Sequence, residues 1–154
     1  MHIVRLSILS ALALVTPLSS MAAAAVFCSN DEETIFTCNT KRKTYEICAS
    51  RDLSATSGYM QYRAGTHGKV EFVYPKQRML PVGKFKLVLL ARGAQLSFQN
   101  GEFTYEIVEP LVGTSQIWVG KNDKSVSSIE CLNHSDSLTL TNTQSRFKAL
   151  GIYK

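Results

Sequence analysis

The sequence predicts an all-β protein, a single small antiparallel barrel or sandwich of about eight strands that is stapled by disulfides. β-Favouring runs recur at intervals of roughly ten residues, the pair Asn100-Gly101 separates two of them, and four cysteines follow residue 25. Helical spacing is nearly absent outside the tail. There we expect a short helix with Thr143 as its cap, running to Leu150 and ended by Gly151.

The first half of the domain is predicted to form two hairpins. Residues 34–38 and 44–48 flank a loop with charged residues at its tip, and residues 58–63 and 69–74 flank a glycine-containing turn. Pro75 ends the last of these strands, because proline fixes φ and lacks the N–H that a ladder needs.

The second half is predicted to contain five further strands. Residues 85–91 form the most apolar stretch and suit a central strand. Asn100-Gly101 predicts a tight hairpin because both residues accept positive φ, and Asn122-Asp123 predicts another turn. The remaining strands are predicted at residues 95–98, 103–108, 116–119 and 125–131.

Residues 1–25 have the composition of a secretory signal peptide. Arg5 supplies a charged start, residues 6–15 are largely apolar, and residues 22–25 are alanines that suit a signal peptidase. The apolar run is far shorter than the ~20 residues of a membrane helix, and Phe27 before Cys28 does not suit lipidation. We therefore expect cleavage near Ala25 and a soluble periplasmic or secreted domain of residues 26–154, with no membrane span and no lipid anchor.

The cysteines predict two disulfides, because an even count in an exported chain is typical of a disulfide framework. They are Cys28, Cys38, Cys48 and Cys131. Their spacing leaves all three pairings open. No Cys-x-x-Cys occurs, and His67 and His134 are isolated, so we expect no metal site.

The charge balance narrows the class of partner. The chain has a formal net charge of +5, of which Arg5 belongs to the predicted signal peptide. A mildly basic exported protein suits acidic envelope polymers or acidic protein partners, and simple solubility is the alternative explanation. Nucleic acid is disfavoured by the compartment and by the lack of an aromatic-interleaved basic motif.

The sequence indicates no enzyme and no cofactor. No Gly-x-Ser-x-Gly motif is present, and His67 and His134 are the only candidate bases after the signal peptide, which leaves a small hydrolase as the least favoured hypothesis. Residues 31–33 are interpreted as a solvated acidic cluster, and Glu102 and Glu106 as residues on the solvent face of a strand.

The segment SATSGYMQYR, residues 54–63, is the candidate binding element. Gly58 permits close backbone approach, and the small hydroxyl of Ser57 can enter a narrow cleft. Tyr59 and Tyr62 should point to opposite faces of a strand, one into the core and one outward. An exposed tyrosine beside Arg63 is typical of binding surfaces. The alternative is that the tyrosines only cover the barrel.

Three motifs together resemble the bacterial lysozyme inhibitors of the membrane-bound and periplasmic c-type group. They are Phe36-Thr37-Cys38, Ser57-Gly58 followed by tyrosines, and a last strand that ends in Cys131. The resemblance implies a flattened β-barrel of about eight strands. It also implies a disulfide between Cys38 and Cys131, which leaves Cys28 to pair with Cys48.

The same resemblance implies how the protein would act. Ser57 would enter a lysozyme cleft near the catalytic carboxylates, Gly58 would allow the approach, and Tyr59 or Tyr62 would brace the loop. A lysine from a second loop would assist, and Lys121 or Lys124 near Trp118 would fill that role.

We therefore expect an exported, non-catalytic protein that inhibits a lysozyme or another peptidoglycan hydrolase by loop insertion. The target would be a host lysozyme or a rival bacterium's effector, and the latter would make this an immunity protein. The alternative is an envelope module that binds acidic glycan or an envelope protein through its basic loops, residues 41–43 and 121–124. The oligomeric state does not follow from the sequence.

Overall fold

A computed structural model describes residues 27–66, 68–133 and 137–153. That part of the chain contains nine strands and one helix, and the strands form two antiparallel sheets. The predicted all-β class, with its short C-terminal helix, is confirmed. The predicted signal peptide of residues 1–25 lies outside the described residues, as do His67 and His134.

The first sheet is built from four strands that pair in chain order. They are β1 (Glu32–Asn39), β2 (Thr44–Ser50), β3 (Met60–Thr66) and β4 (Lys69–Tyr74). Residues 51–59 connect β2 to β3 and form the longest connection within this sheet.

The second sheet is built from five strands that also pair in chain order. They are β5 (Phe85–Leu90), β6 (Gly93–Asn100), β7 (Phe103–Pro110), β8 (Gln116–Lys121) and β9 (Lys124–Glu130). Each predicted strand overlaps an observed one, because the alternation of apolar and polar residues marks strands of a half-buried sheet well.

The β6–β7 and β8–β9 turns differ in which of their residues have positive φ. Asn100 pairs with Phe103 as the end of β6, so Gly101 and Glu102 are the two loop residues, and only Gly101 has positive φ, at 61°. The predicted hairpin at Asn100-Gly101 is confirmed, and its pattern is that of a turn with glycine at the first central position. At the β8–β9 turn, Asn122 and Asp123 both have positive φ, at 48° and 61°.

The sheets face each other across an aromatic core. Tyr62 of β3 lies at its centre, with ring centroids 5.0 Å from Phe98 and 6.1 Å from Tyr105, which belong to the second sheet. Tyr74 of β4 stacks on Phe98 at 4.5 Å. Offset and edge contacts of this kind add stabilisation beyond the buried area, so the aromatic rings fix how one sheet packs on the other.

Two disulfides connect strands of the first sheet to other parts of the chain. Cys38 of β1 bonds Cys131, which follows β9, and Cys28 bonds Cys48 of β2. The predicted number of disulfides is confirmed, and the pairing is the one that the resemblance implies.

The chain ends in helix α1 (Thr141–Ala149), whose buried face is centred on Phe147. Leu140 occupies the cap position without a side-chain hydrogen bond, so the prediction that Thr143 caps the helix is wrong. Gly151, with φ of 73°, follows the helix as predicted. Beyond it, Ile152 accepts a hydrogen bond from the Leu87 N–H at 2.7 Å. The prediction that residues 85–91 form a central strand is wrong, because β5 lies at the edge of its sheet and the segment after α1 partly covers that edge.

Among the described residues, no helix has the length and apolar character needed to cross a membrane.

Candidate binding loop and its charged anchor

The connection between β2 and β3, residues 51–59, is named the serine loop here. It is closed by its own hydrogen bonds. The Ser54 N–H donates to the Ser57 carbonyl at 3.0 Å, and the Ser57 N–H donates to Ser54 Oγ at 3.1 Å. Ser57 Oγ donates to the Asp52 carbonyl at 2.9 Å. Residues 54–57 are all exposed, so the loop displays a hydroxyl-rich tip on an ordered backbone.

Gly58 allows this closure. Its φ is 81°, and a Cβ atom there would collide with Ser50 Oγ and lie 2.7 Å from the Leu53 Cα. Leu53 is buried and fastens the loop to the sheet. The close backbone approach expected at Gly58 is therefore made by the loop to itself, and the same glycine cannot be replaced without moving the tip.

We expect Gly58→Ala to lower the free energy of unfolding by about 2–4 kcal/mol, because it adds a positive-φ penalty and a steric clash. Gly83 is a matched control, since it has φ of 74° but open space where a Cβ would lie. Gly83→Ala should cost only about 1 kcal/mol. Urea denaturation of both variants measures the difference, and equal losses would contradict the internal packing described for Gly58.

The two tyrosines of the candidate segment have separate roles. Tyr62 is buried in the core, as predicted for one of the pair. Tyr59 precedes β3 and is half-buried rather than exposed. Its hydroxyl donates to Glu32 Oε1 at 2.7 Å, so Tyr59 anchors the end of the serine loop to β1. Tyr62 is out of reach of any partner that docks on the surface.

Arg63 is not a surface residue, and the prediction of an exposed pair with tyrosine is wrong for it. Only 8% of Arg63 is exposed. Its two terminal nitrogens donate to the two carboxylate oxygens of Glu32, both at 2.6 Å, and one of them also donates to the Phe27 carbonyl at 2.7 Å. Arg63 points to the outer face of the first sheet as the alternation requires. The chain segment around Phe27, held by the Cys28–Cys48 bond, covers that face.

Glu32 is the centre of this charged cluster, which corrects the interpretation of residues 31–33 as wholly solvated. Glu32 is 5% exposed. Burial raises the pKa of its carboxyl, but hydrogen bonds from Arg63, Tyr59 and Ser29 outweigh burial and lower the pKa from 4.5 to about 2. Glu32 is therefore ionised at neutral pH.

A second buried carboxyl, Glu46, holds the start of the described chain. Its Oε2 accepts the N–H groups of Phe27 at 2.6 Å and Cys28 at 3.1 Å. Burial raises the pKa of Glu46 and these backbone hydrogen bonds only partly oppose it. The Cys28 and Cys48 sulfurs lie beside this carboxylate, but they are bonded to each other and so are not thiolate ligands.

Arg78 supplies the exposed cation that the sequence assigned to Arg63. Its guanidinium lies 4.6 Å from the Tyr59 ring centroid, and one nitrogen lies 4.0 Å from Glu32 Oε1. The Arg78 side chain is 60% exposed. Sequence reasoning missed it because Arg78 lies in the linker after β4, and no local pattern indicates that it folds back onto Tyr59. Arg51, within the serine loop, adds a second exposed cation.

The two candidate lysines lie on the β8–β9 hairpin. Lys121 Nζ is 3.1 Å from Glu102 and 5.3 Å from the Phe103 ring centroid, whereas Lys124 is exposed at a groove beside Trp118. Within the described ranges, no hydrogen bond, ion pair or ring contact joins this hairpin to the serine loop. The structure thus gives two separate candidate surfaces.

The fold and the loop define a class: an all-β, disulfide-linked protein that displays a hydrogen-bonded, hydroxyl-rich loop beside an exposed arginine stacked on a half-buried tyrosine. Comparison with protein-family models, with curated proteins and with solved structures found no match for this chain.

Proposed function

We propose that this chain is an exported, non-catalytic binding protein that presents the serine loop to a protein partner. The observation that carries the proposal is the closure of the loop by its own hydrogen bonds at residues 54–57. A loop that is already ordered loses little conformational entropy on binding, so more of the contact energy appears as affinity.

The chemistry around the tip favours an acidic partner. Arg78 stacked on Tyr59 combines a cation with aromatic contact area, and Arg51 adds a second positive charge on the serine loop. Arginine and tyrosine are enriched among the residues that dominate binding energy. Cations and hydroxyl donors together complement carboxylates.

The most concrete partner is a peptidoglycan-cleaving enzyme, either a host lysozyme or a rival bacterium's effector. Such enzymes use paired carboxyl groups in an open cleft, and the motifs around Cys38, Ser57-Gly58 and Cys131 support this choice by their resemblance to lysozyme inhibitors.

Inhibition would proceed by occlusion. In the free protein Ser57 Oγ donates to the Asp52 carbonyl. On insertion, the hydroxyl would exchange that neutral bond for a charge-assisted bond to a cleft carboxylate, which is the stronger of the two. The tip would then exclude the substrate from the cleft without any reaction of its own.

An assay of the purified protein against a panel of lysozyme classes and bacterial muramidases tests this proposal. We expect inhibition of at least one enzyme. Ser57→Trp should weaken that inhibition roughly 100-fold because the indole blocks insertion, and Arg78→Ala should weaken it roughly tenfold.

Ser145→Trp is the matched control, since Ser145 is an exposed serine on α1. This control should inhibit as well as the unchanged protein. No inhibition of any enzyme in the panel, or inhibition that is indifferent to Ser57→Trp, would refute the proposal.

A further inference from the structure

The largest exposed aromatic side chain lies on the outer face of the second sheet. Trp118 of β8 is 39% exposed, whereas its neighbour Ile117 is fully buried on the opposite face. The indole borders a groove of about 280 Å³. Polar side chains from two strands and a turn also line it: Thr104, Glu106, Asp123, Lys124 and Ser125.

Strand register places these polar groups around the indole. Glu106 of β7 lies directly across from Trp118, and its Oε1 accepts a hydrogen bond from Gln95 Nε2 at 3.1 Å. Two residues further along β8, Gly120 pairs with both Thr104 and Ser125. A carboxylate-bearing residue therefore lies across from Trp118, and two hydroxyl-bearing residues lie across from Gly120.

Gly120 lies at the irregularity in the pairing of β8 with β9, and its lack of a side chain leaves the groove open. A Cβ atom at Gly120 would meet only the Lys124 carbonyl, at an ordinary contact distance of 3.5 Å, and no positive φ occurs there. Glycine in a strand weakens it, because it loses more entropy on folding and packs no side chain. The fold would therefore accept a larger residue, and what glycine provides at this position is space between Thr104 and Ser125.

We propose that this surface is a binding groove for a neutral saccharide ring, separate from the serine loop. The C–H face of a sugar ring suits stacking on an indole, whose π face is electron-rich. The hydroxyls around the ring need both acceptors and donors, and Glu106, Asp123, Thr104 and Ser125 offer them. A flat aromatic platform with a few convergent polar groups is the pattern of a small-ligand site.

Local charge selects a neutral ligand over an acidic one. Two carboxylates, Glu106 and Asp123, line the groove against the one cation of Lys124. The neighbouring Lys121 is already paired with Glu102 at 3.1 Å. An acidic sugar would meet this excess of negative charge, whereas a neutral sugar would meet only hydrogen-bonding groups.

Intrinsic fluorescence tests the proposal directly, because Trp118 is the only tryptophan in the chain. The protein is titrated with chitotetraose, cellotetraose, maltotetraose and, as an acidic probe, trigalacturonic acid. We expect at least one neutral tetrasaccharide to change the emission saturably, with a dissociation constant of roughly 0.1–1 mM. No change with any neutral sugar up to about 10 mM, or binding of trigalacturonic acid alone, would overturn the proposal.

Gly120→Val supplies the decisive variant. Valine fills the groove but suits a strand, so we expect the unfolding midpoint to be unchanged or higher while the affinity measured by calorimetry falls at least tenfold. Glu106→Gln should weaken binding by a smaller factor. Arg78→Ala, on the serine-loop surface, should bind sugar normally. Sugar binding that survives Gly120→Val would exclude the groove, and this outcome is independent of whether the serine loop inhibits an enzyme.

Discussion

Replacing Glu32 by glutamine is expected to destabilise the protein by about 3–5 kcal/mol. The substitution leaves the guanidinium of Arg63, which is 8% exposed, without the carboxylate that accepts both of its 2.6 Å hydrogen bonds. A buried cation without its partner has a large desolvation cost, which is why removal of one member of such a pair is so damaging. Urea denaturation monitored by circular dichroism measures the loss.

The neighbouring residue provides a matched control. Glu33 also pairs with an arginine, Arg146, at 2.7 Å, but the Glu33 side chain is 45% exposed and the Arg146 side chain is 29% exposed. Glu33→Gln should cost less than about 1 kcal/mol. The double variant Glu32→Gln, Arg63→Met should recover much of the stability lost in the single variant, because it removes the stranded charge. Equal effects of Glu32→Gln and Glu33→Gln would contradict the burial of the cluster.

The Glu32–Arg63 pair also predicts how the stability of the protein depends on pH. The pKa of Glu32 is lowered on folding from 4.5 to about 2. Ionised Glu32 therefore adds about 3 kcal/mol to the free energy of unfolding above pH 4.5, and this stabilisation is lost as the pH falls through 2. Glu46 acts in the opposite direction, since its pKa is raised on folding, and it weakens the fold as the pH rises above 4.5. We expect the free energy of unfolding to fall less steeply with decreasing pH in Glu32→Gln than in the unchanged protein.

Removal of the Cys38–Cys131 disulfide by double substitution with alanine is expected to cost about 4–5 kcal/mol. The two cysteines are 93 residues apart in sequence, so the bond restricts a large part of the unfolded chain. The Cys28–Cys48 bond spans only 20 residues, and its removal should cost about 3 kcal/mol.

Denaturation of the two alanine pairs under identical conditions distinguishes the bonds. The ranking follows from loop length in the chain-entropy account. The opposite ranking would mean that the Cys28–Cys48 bond acts chiefly by holding the segment around Phe27 over the charged cluster, because that segment carries hydrogen bonds to Glu46 and Arg63.

The strands were predictable because their signals are local. The alternation of side chains along β3 correctly predicts that Gln61 and Arg63 lie on one face of the sheet and Tyr62 on the other. It does not predict which part of the chain packs on each face. Arg63 was expected at the surface because its face looks outward, and only the tertiary path of the segment around Phe27 buries it.

The same limitation explains the other departures. Arg78 reaches Tyr59 from a linker, so no spacing rule connects the two residues. Thr143 has the chemistry of a cap, yet the helix begins at Thr141 without a side-chain cap, and the buried Phe147 and Leu150 hold it on the core. The groove at Trp118 depends on the register of β7, β8 and β9, which the sequence suggests only through the single tryptophan and the glycine two residues later.

The arrangement of the two sheets affects how the protein responds to proteolytic cleavage. All strands of the first sheet precede residue 75 and all strands of the second follow residue 84, so one linker joins them, and its residues Lys76 and Arg78 are exposed to trypsin-like cleavage. The Cys38–Cys131 bond crosses from the first sheet to the segment after the second. A chain cut in that linker therefore remains one covalent molecule, with both halves still stacked through Tyr62, Tyr74 and Phe98.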